Sequence, residues 1–204
     1  LKNNVGFEYE GVVMSGTPVL RFADKLLKGS EINKFAGIVN GTANYVLGLV
    51  EQGYTFADAI TSAQQQGYAE ADPSADIEGK DVVLKVIVLA NRLWDANLTQ
   101  ENVQCQGITG LTETMVKQAA AEGCHWKLLG KASKQEDGSI VASVSPEKLS
   151  IVHPLAGISG AVNAITFTSG MLGDVTVSGP GAGRVETAYA ILSDIIAIHQ
   201  RKGS

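Results

Sequence analysis

Cysteine is scarce in this sequence: Cys105 and Cys124 lie far apart and form no CxxC motif. This usage is typical of a reducing, cytoplasmic setting rather than of a secreted, disulfide-bonded protein. No apolar run approaches the ~20 residues that a membrane-spanning helix needs, so we expect no membrane partner. An excess of basic residues is also absent. The net charge is −5, which argues against nucleic acid or an anionic membrane as the main partner.

The sequence begins at Leu1 and not at a methionine. It also shows no signal-peptide pattern. A strand-like stretch follows almost at once, so we expect an N-terminal portion of the natural protein to lie outside this sequence. The 204 residues are 45% apolar and 18% charged, which predicts a globular chain with one sizeable core or two small ones. No internal repeat or low-complexity tract is present.

The hydrophobic pattern switches along the chain between the strand period of two and the helix period of 3.6. Strands are predicted at residues 7–14, 32–39, 125–133, 139–144, 161–168 and 174–178. Helices are predicted at residues 18–27, 42–53, 56–66, 77–93, 112–122 and 186–199. The strands come in adjacent pairs and the helices are partly segregated. This order favours an α+β fold, with a mixed, largely antiparallel sheet and helices packed on one face, over an alternating βαβ sheet.

One stretch, from Gly67 to Lys85, concentrates the chemically interesting residues. Pro73 excludes a continuous helix through its acidic first part, so residues 67–76 are predicted to form a shaped loop. Asp81 and Lys85 then lie four residues apart on one face of an otherwise apolar helix. A surface ion pair worth a few tenths of a kcal/mol is one interpretation. The other is a proton-transferring lysine, because apolar walls lower a lysine's pKa and a neighbouring carboxylate raises it again.

The acidic loop admits more than one interpretation. Clustered carboxylates suit hard cations, but the spacing is not that of an EF-hand and no histidine joins the cluster. Asp72 and Asp76 are in positions typical of turn and helix N-cap residues. Glu70 has no such role, which makes it the best candidate for binding the ammonium or hydroxyl group of a ligand.

A glycine-rich segment, Gly179-Pro180-Gly181-Ala182-Gly183-Arg184, lies between a predicted strand and the last helix. Its spacing is G-x-G-x-G, not the G-x-G-x-x-G of dinucleotide-binding folds. A tight turn into a helix is the simpler interpretation. The alternative is a helix N-terminus that faces part of a nucleotide or nicotinamide.

Three segments, in this order along nearly the whole chain, resemble the homoserine dehydrogenase family. They are GIVNGTANYVLGLV at 37–50, GYAEADPSADIEGKDVVLKVIVLA at 67–90 and GPGAGRVETAYAILSDI at 179–195. The resemblance is to the substrate-binding and dimerisation region, and it implies an NAD(P)-dependent reaction between L-homoserine and L-aspartate 4-semialdehyde in a homodimer. It implies a substrate-binding, catalytic and dimerisation domain at 1–178. Residues 179–204 would be a turn and helix returning toward a nucleotide-binding half outside this sequence.

The resemblance also implies roles for single residues. Lys85 would move the hydroxyl proton as the acid/base, and Asp81 would bind the substrate and polarise the same site. Glu70 would bind the substrate and border the cofactor. The other implied contacts are Tyr68, Asp76 and Thr42 for the substrate, and Gly67 and Gly183 for the cofactor.

The family resemblance further implies a monovalent-cation site, for example for Na⁺. It would use the carboxylate of Glu10 and backbone carbonyls of Val13, Ser15 and Thr17, although this run contains less glycine than is usual in the family.

Two other functions remain open. One is a non-catalytic dimerisation or metabolite-binding module of the same fold, and the other is a carboxylate-rich metal hydrolase. For the homoserine dehydrogenase resemblance itself, the dinucleotide-binding half of the family is absent from this sequence, so this polypeptide alone is expected neither to bind NAD(P) tightly nor to turn over.

Overall fold

One mixed sheet of six strands organises the part of the chain that this computed structural model describes, residues 5–27 and 29–202. The strands are β1 (Ile32–Ile38), β2 (Val103–Cys105), β3 (Cys124–Lys134), β4 (Ile140–Ser150), β5 (Val162–Ser169) and β6 (Gly173–Pro180). Their spatial order is β2-β4-β3-β1-β5-β6, and every pair is antiparallel except β2–β4. The predicted α+β class with a mixed, largely antiparallel sheet is therefore confirmed.

Seven helices accompany the sheet in the described residues, and side-chain caps fix several of their starts. They are α1 (Val19–Arg21, continued by a π-helical turn at Phe22–Leu26), α2 (Gly41–Glu51), α3 (Phe56–Gln65), α4 (Ser74–Ile77), α5 (Lys80–Trp94), α6 (Glu113–Ala121) and α7 (Arg184–Lys202). The side chains of Asn40, Thr55 and Thr112 accept a backbone N–H three residues ahead, which satisfies a free donor at each helix start. No helix in the ranges described is long and apolar enough to cross a membrane.

The prediction of a strand at residues 7–14 is wrong. This segment is irregular and then forms a 3₁₀ turn at Glu10–Val12. Met14 and Ser15 have φ angles of 58° and 46°, in the left-handed region that a strand cannot contain. Alternating apolar residues therefore occur here without sheet pairing.

The acidic loop and the helix after it also differ from the prediction. Residues 74–77 form the short helix α4 rather than a continuation of the loop, and α5 begins at Lys80 rather than at Ile77. Gly79 separates the two helices because its φ of 82° is a conformation that glycine adopts without strain. The parallel strand β2 was not predicted, because three residues carry too little periodicity to be recognised.

The main hydrophobic core lies between one face of the sheet and α2, α5 and α6. Helix α5 approaches the sheet closely at Gly130 of β3. A Cβ atom at Gly130 would lie 2.6 Å from Val86 Cγ2 and 2.8 Å from Val82 Cγ1. A smaller cluster on the opposite face contains no helical residue; its members are Ile38, Leu129, Leu149, Leu155, Ala156 and Ala164. The helices thus pack on one face, as predicted.

Two buried polar side chains hold the segment 158–162 against the N-terminal part of α2. The Nζ atom of Lys127 donates to the carbonyl oxygen of Ile158 (2.6 Å) and to Oδ1 of Asn44 (3.1 Å). Nδ2 of Asn44 donates in turn to the carbonyl oxygen of Gly160 (2.9 Å). Burial lowers the pKa of the Lys127 ammonium, and the charge of Glu51 partly opposes that shift.

Substituting Gly130 by alanine tests the contact between α5 and β3. The added methyl group would overlap Val82 and Val86, so we expect Gly130→Ala to lower the free energy of unfolding by about 1–3 kcal/mol. Urea unfolding measures the change. Gly157→Ala is the matched control, because a Cβ there meets no atom within 4 Å; it should change stability by less than ~0.5 kcal/mol. Equal effects of the two substitutions would contradict the proposed close packing.

Candidate functional site

A cavity of about 770 Å³ opens between the start of α2, the acidic loop and the turn that joins β6 to α7. All of the residues that the sequence predicts for substrate or cofactor line it: Thr42, Gly67, Tyr68, Glu70, Asp76, Asp81, Lys85 and Gly183. A larger groove of about 1090 Å³ beside the C-terminal part of α5 contains none of them, so size alone does not identify the site.

The side chain of Lys85 is held in a fixed position at the cavity wall. Its Nζ atom lies 2.7 Å from Oδ2 of Asp81 and 2.7 Å from the carbonyl oxygen of Val39, the residue after β1. The Lys85 side chain is 18% exposed, so the pair is not a freely solvated surface ion pair. Two of the three ammonium donors are used by these contacts, and the third is left for a group in the cavity.

Asn40 connects the carboxylates of the site, and it is not among the site residues predicted from the sequence. Its Oδ1 accepts the N–H of Ala43 (2.8 Å) as the cap of α2. Its Nδ2 donates both hydrogens, to Oδ1 of Asp76 (2.6 Å) and to Oδ2 of Asp81 (2.8 Å). Asn40 is 6% exposed. The only signal in the sequence is the run Asn40-Gly41-Thr42 after a strand, and helix capping by itself accounts for such a run.

The acidic loop is held by its backbone, which leaves its side chains at the cavity. Thr42 Oγ1 donates to the carbonyl oxygen of Tyr68 (2.7 Å), and Gln64 Nε2 donates to that of Glu70 (3.2 Å). The Tyr68 ring lies 4.9 Å from the Tyr45 ring, centroid to centroid. The exposed side chain of Glu70 therefore belongs to a loop of fixed shape.

Two aspartates of the loop serve different purposes. Oδ1 of Asp72 accepts the N–H of Ser74 (3.0 Å), and this bond lowers the pKa of the Asp72 carboxyl group. Asp72 is therefore a turn residue, as predicted. Asp76 does not cap α5, contrary to the sequence interpretation, because Gly79 occupies that position and Asp76 binds Asn40 instead.

In the glycine-rich turn, residues 179–183, the last four residues complete the cavity wall together with Ala161 and Val162. Thr17 Oγ1 donates to the carbonyl oxygen of Pro180 (3.1 Å), which fixes one end of the turn. Gly183 has a φ of 135°, a conformation that side chains rarely allow. The Glu186 carboxylate packs directly on Gly183, so a side chain at this position would collide with it.

The residues predicted for a monovalent cation, Glu10, Val13, Ser15 and Thr17, lie outside the cavity. The Glu10 carboxylate is 3% exposed and accepts the backbone N–H groups of Leu20 (2.7 Å) and Arg21 (3.0 Å). Burial raises the pKa of Glu10, and these two hydrogen bonds partly oppose the shift. Ser15 Oγ lies 2.9 Å from Thr187 Oγ1 of α7.

A divalent-metal centre gains no support from the geometry. Across residues 5–27 and 29–202, no group of three or more histidine, cysteine, aspartate or glutamate side chains is arranged to hold a metal ion. Asp72 and Asp76 of the acidic loop instead bind the backbone and Asn40, and Asp81 on α5 binds Lys85.

Comparison with known proteins agrees with the sequence resemblance. The homoserine dehydrogenase family model matches residues 18–196. A curated NAD(+)-dependent homoserine dehydrogenase of Pseudomonas canavaninivorans is 60% identical over 97% of this chain and 56% of its own length. A homoserine dehydrogenase of Methanocaldococcus jannaschii is 38% identical over 97% of this chain and 57% of its own length.

Solved structures of the same family share the fold. A putative homoserine dehydrogenase of Archaeoglobus fulgidus superimposes with a TM-score of 0.88 at 37% identity, covering 97% of this chain and 60% of that one. A hyperthermophilic archaeal homoserine dehydrogenase in complex with NADPH gives a TM-score of 0.82 at 32% identity, over 98% and 57% of the two chains.

Fold and cavity together define an α+β domain in which a lysine and several carboxylates surround one pocket. The matched family model covers most of the sequence, and the chain belongs to the homoserine dehydrogenase family. It spans about half the length of the curated relatives that it matches.

Replacing Asn40 by aspartate tests its role as the connection between the carboxylates. Aspartate keeps the cap acceptor but removes both donors and adds a negative charge beside Asp76 and Asp81. Because hydrogen bonds to charged groups contribute about 1.5–3 kcal/mol each, we expect Asn40→Asp to lower the free energy of unfolding by more than ~2 kcal/mol. Asn40→Ser, which keeps a cap without the added charge, should lose less. Equal losses in urea unfolding would contradict this role.

Proposed function

We propose that this chain is the substrate domain of an NAD(P)-dependent oxidoreductase that interconverts L-homoserine and L-aspartate 4-semialdehyde. The reaction serves the synthesis of threonine, methionine and isoleucine. The observation that carries the proposal is the arrangement of Lys85 and Asp81, joined at 2.7 Å at the wall of a cavity that polar side chains, among them Glu70, also line. The family membership of the chain supports the same reaction.

Lys85 is proposed to accept and donate the proton of the reacting hydroxyl group. In the oxidation of homoserine, its amine accepts that proton; in the reduction of the aldehyde, its ammonium returns it. Asp81 and the Val39 carbonyl orient Nζ by two hydrogen bonds, so that the remaining position faces the substrate. NAD(P), when bound, supplies the hydride acceptor or donor.

The other polar side chains of the cavity are proposed to bind the amino-acid part of the substrate. The carboxylates of Glu70 and Asp76 suit its ammonium group, and Asp81 binds near the reacting hydroxyl. The Thr42 hydroxyl can still accept a hydrogen bond, because its own hydrogen is donated to Tyr68. The Tyr68 ring forms an apolar wall for the substrate's methylene groups.

Residues at the edge of this cavity are proposed to contact the cofactor. Gly67 has open space where a side chain would be, so a flat ring can approach its backbone. Gly183 and Glu70 line the same cavity and would border the cofactor. The archaeal relative in complex with NADPH shares this fold, which supports NAD(P) as the cofactor.

The proposed division of the chain places residues 1–178 in the substrate and dimerisation domain and residues 179–204 in a connection to a nucleotide-binding half. The surface of α7 supports it. Of its side chains in the described part, Ala190 is buried, whereas several large apolar ones are exposed: Val185, Tyr189, Ile191, Leu192, Ile195 and Ile196. Such a surface on one long helix is typical of a covered interface.

A monovalent cation such as Na⁺ is proposed at the segment of Glu10, Val13, Ser15 and Thr17. The backbone at Met14 and Ser15 is left-handed, a conformation that costs about 1–3 kcal/mol per residue and is retained where function requires it. Glu10 has one lone pair of each oxygen engaged by a helix N–H, so the backbone carbonyls would supply most of the ligands.

A homodimer is proposed through the sheet face that carries no helix. On this face Val141 is 58% exposed, and the ion pair of Lys131 with Glu147 lies in a groove that His153 also lines.

We place the enzyme in the cytoplasm, which agrees with two free cysteines, Cys105 and Cys124.

Lys85→Ala in the full-length natural protein tests the catalytic role. We expect kcat for homoserine oxidation to fall by about 10²–10⁴, because general acid–base catalysis contributes that much, while KM for homoserine changes little. Lys80→Ala is the matched control on the same helix, because Lys80 is exposed and pairs with Glu78. An unchanged kcat in Lys85→Ala would favour the non-catalytic dimerisation or metabolite-binding module.

Titration of the isolated 204-residue chain with NADPH tests its dependence on a nucleotide-binding half. No micromolar binding is expected by calorimetry or fluorescence, because the cavity offers a cofactor few backbone contacts and no dinucleotide fingerprint. Micromolar affinity would contradict this expectation. The full-length protein, titrated in parallel, serves as the positive control.

Val141→Lys tests the proposed dimer face. Burying an unpaired ammonium at an interface is costly, so the mass measured by light scattering should fall toward that of the monomer at a concentration where the unmodified chain is dimeric. Val185→Lys on α7 is the control and should leave the mass unchanged. Loss of the dimer in both variants, or in neither, would argue against this face.

A further inference from the structure

Asn163 is a polar residue at a position where the sheet pattern calls for an apolar one. Asn163, Ile165 and Phe167 are spaced two residues apart on the core face of β5. Ile165 and Phe167 both belong to the main core. The pairs across to β6 are Phe167 with Val175, Ile165 with Val177, and Asn163 with Gly179. The cross-strand pairs on this face are therefore apolar except for the pair of Asn163 with Gly179, which lies beside the glycine-rich turn.

The amide group of Asn163 is fully buried and has no hydrogen-bond partner. The residue is 0% exposed, and neither Oδ1 nor Nδ2 contacts a donor or acceptor among the residues described. A buried amide without partners costs free energy that an apolar side chain of the same size would avoid. Asn44, which is equally buried, shows the usual situation, with Lys127 on its Oδ1 and a carbonyl oxygen on its Nδ2.

The glycine-rich turn packs against this amide. The Asn163 amide packs on the backbone of Gly181, so closely that any Cβ atom on residue 181 would collide with it. Gly181 and Val162, the residue before Asn163, both line the candidate cavity. The amide therefore faces the start of the turn at Gly181, and a small shift of the turn would bring peptide groups of residues 181–183 into hydrogen-bonding positions.

We propose that Asn163 is a positioning residue that fixes the glycine-rich turn when NAD(P) is bound. Cofactor binding shifts the turn so that its peptide groups bond to the buried Asn163 amide, and the amide thereby gains the partners that it lacks in this structure. The inference rests on the proposed function, because that function places the cofactor against this turn. In this proposal Asn163 touches neither substrate nor cofactor. It strengthens cofactor binding by stabilising the shifted position of the turn.

The test measures stability without ligand and cofactor affinity in the full-length natural protein. Asn163→Leu removes the unpartnered amide at similar volume, so its melting temperature without ligand should rise. Its KM and Kd for NAD(P) should rise by about tenfold, the factor that corresponds to about 1.4 kcal/mol, while KM for homoserine stays unchanged. Asn44→Leu is the matched control: it removes a fully bonded amide and should lower the melting temperature.

A purely structural Asn163 would give the opposite result. If Asn163→Leu lowers the melting temperature as Asn44→Leu does, or fails to fold, the amide has a partner without the cofactor, for example a buried water molecule, and the proposal is wrong. Unchanged affinity for NAD(P) would overturn it as well. Failure of the unmodified protein to oxidise homoserine would instead reject the proposed function, and the melting temperatures of the two variants would still report on the amide.

Hydrogen exchange gives a second measurement that does not depend on the leucine variant. On addition of NAD(P), the amides of residues 181–183 should exchange more slowly in the unmodified protein. Asn163→Asp, which keeps the oxygen acceptors and loses the N–H donors, should show a smaller slowing. An equal slowing in both proteins would contradict the proposed bonds between Asn163 and the turn.

Discussion

The two N–H groups of the Asn40 side chain bind the carboxylates of Asp76 and Asp81, which belong to different helices. The same side chain caps α2 through its oxygen. One amide therefore joins the end of β1, the start of α2, α4 and α5. Oδ2 of Asp81 accepts from both Asn40 and Lys85, so the position of the lysine ammonium depends on this network. Charge-assisted hydrogen bonds of this kind are about twice as strong as neutral ones.

This network requires α5 to lie directly on the sheet. Gly130 lets Val82 and Val86 reach the backbone of β3, and the adjoining side of α5, about 100° around its axis, then presents Asp81 and Lys85 to the cavity. The same residue spacing that buries one side of the helix thus places the reactive pair at the edge of the buried side. The turn of residues 179–183 lies at the same end of the sheet as the end of β1, because Ile38 pairs with Ala164 and Val162 pairs with Pro180. The cavity exists because the ends of β1, β5 and β6 and the start of α2 meet in one place.

Much of the fold followed from local pattern. β1, β3, β4, β5 and β6 and helices α2, α3, α5, α6 and α7 all carry a clear period with capping or turn residues at their ends. The failures have local causes. Residues 7–14 alternate like a strand, but the left-handed backbone at Met14 and Ser15 prevents pairing, and Gly79 divides a segment that reads as one helix. Strand β2 forms because β4 offers a free edge, which no local pattern reveals.

The sequence by itself determined the residue types of the site. It placed an acidic loop before an apolar helix with one lysine, because proline, glycine and the i, i+4 spacing act locally. The tertiary structure decided which groups meet. That Asn40 binds Asp76 and Asp81, that Val39 binds Lys85, and that the Asn163 amide lies buried beneath Gly181 depend on contacts between residues 18 to 46 positions apart. Such distances are set by how helices pack on the sheet, and local preferences carry no information about them.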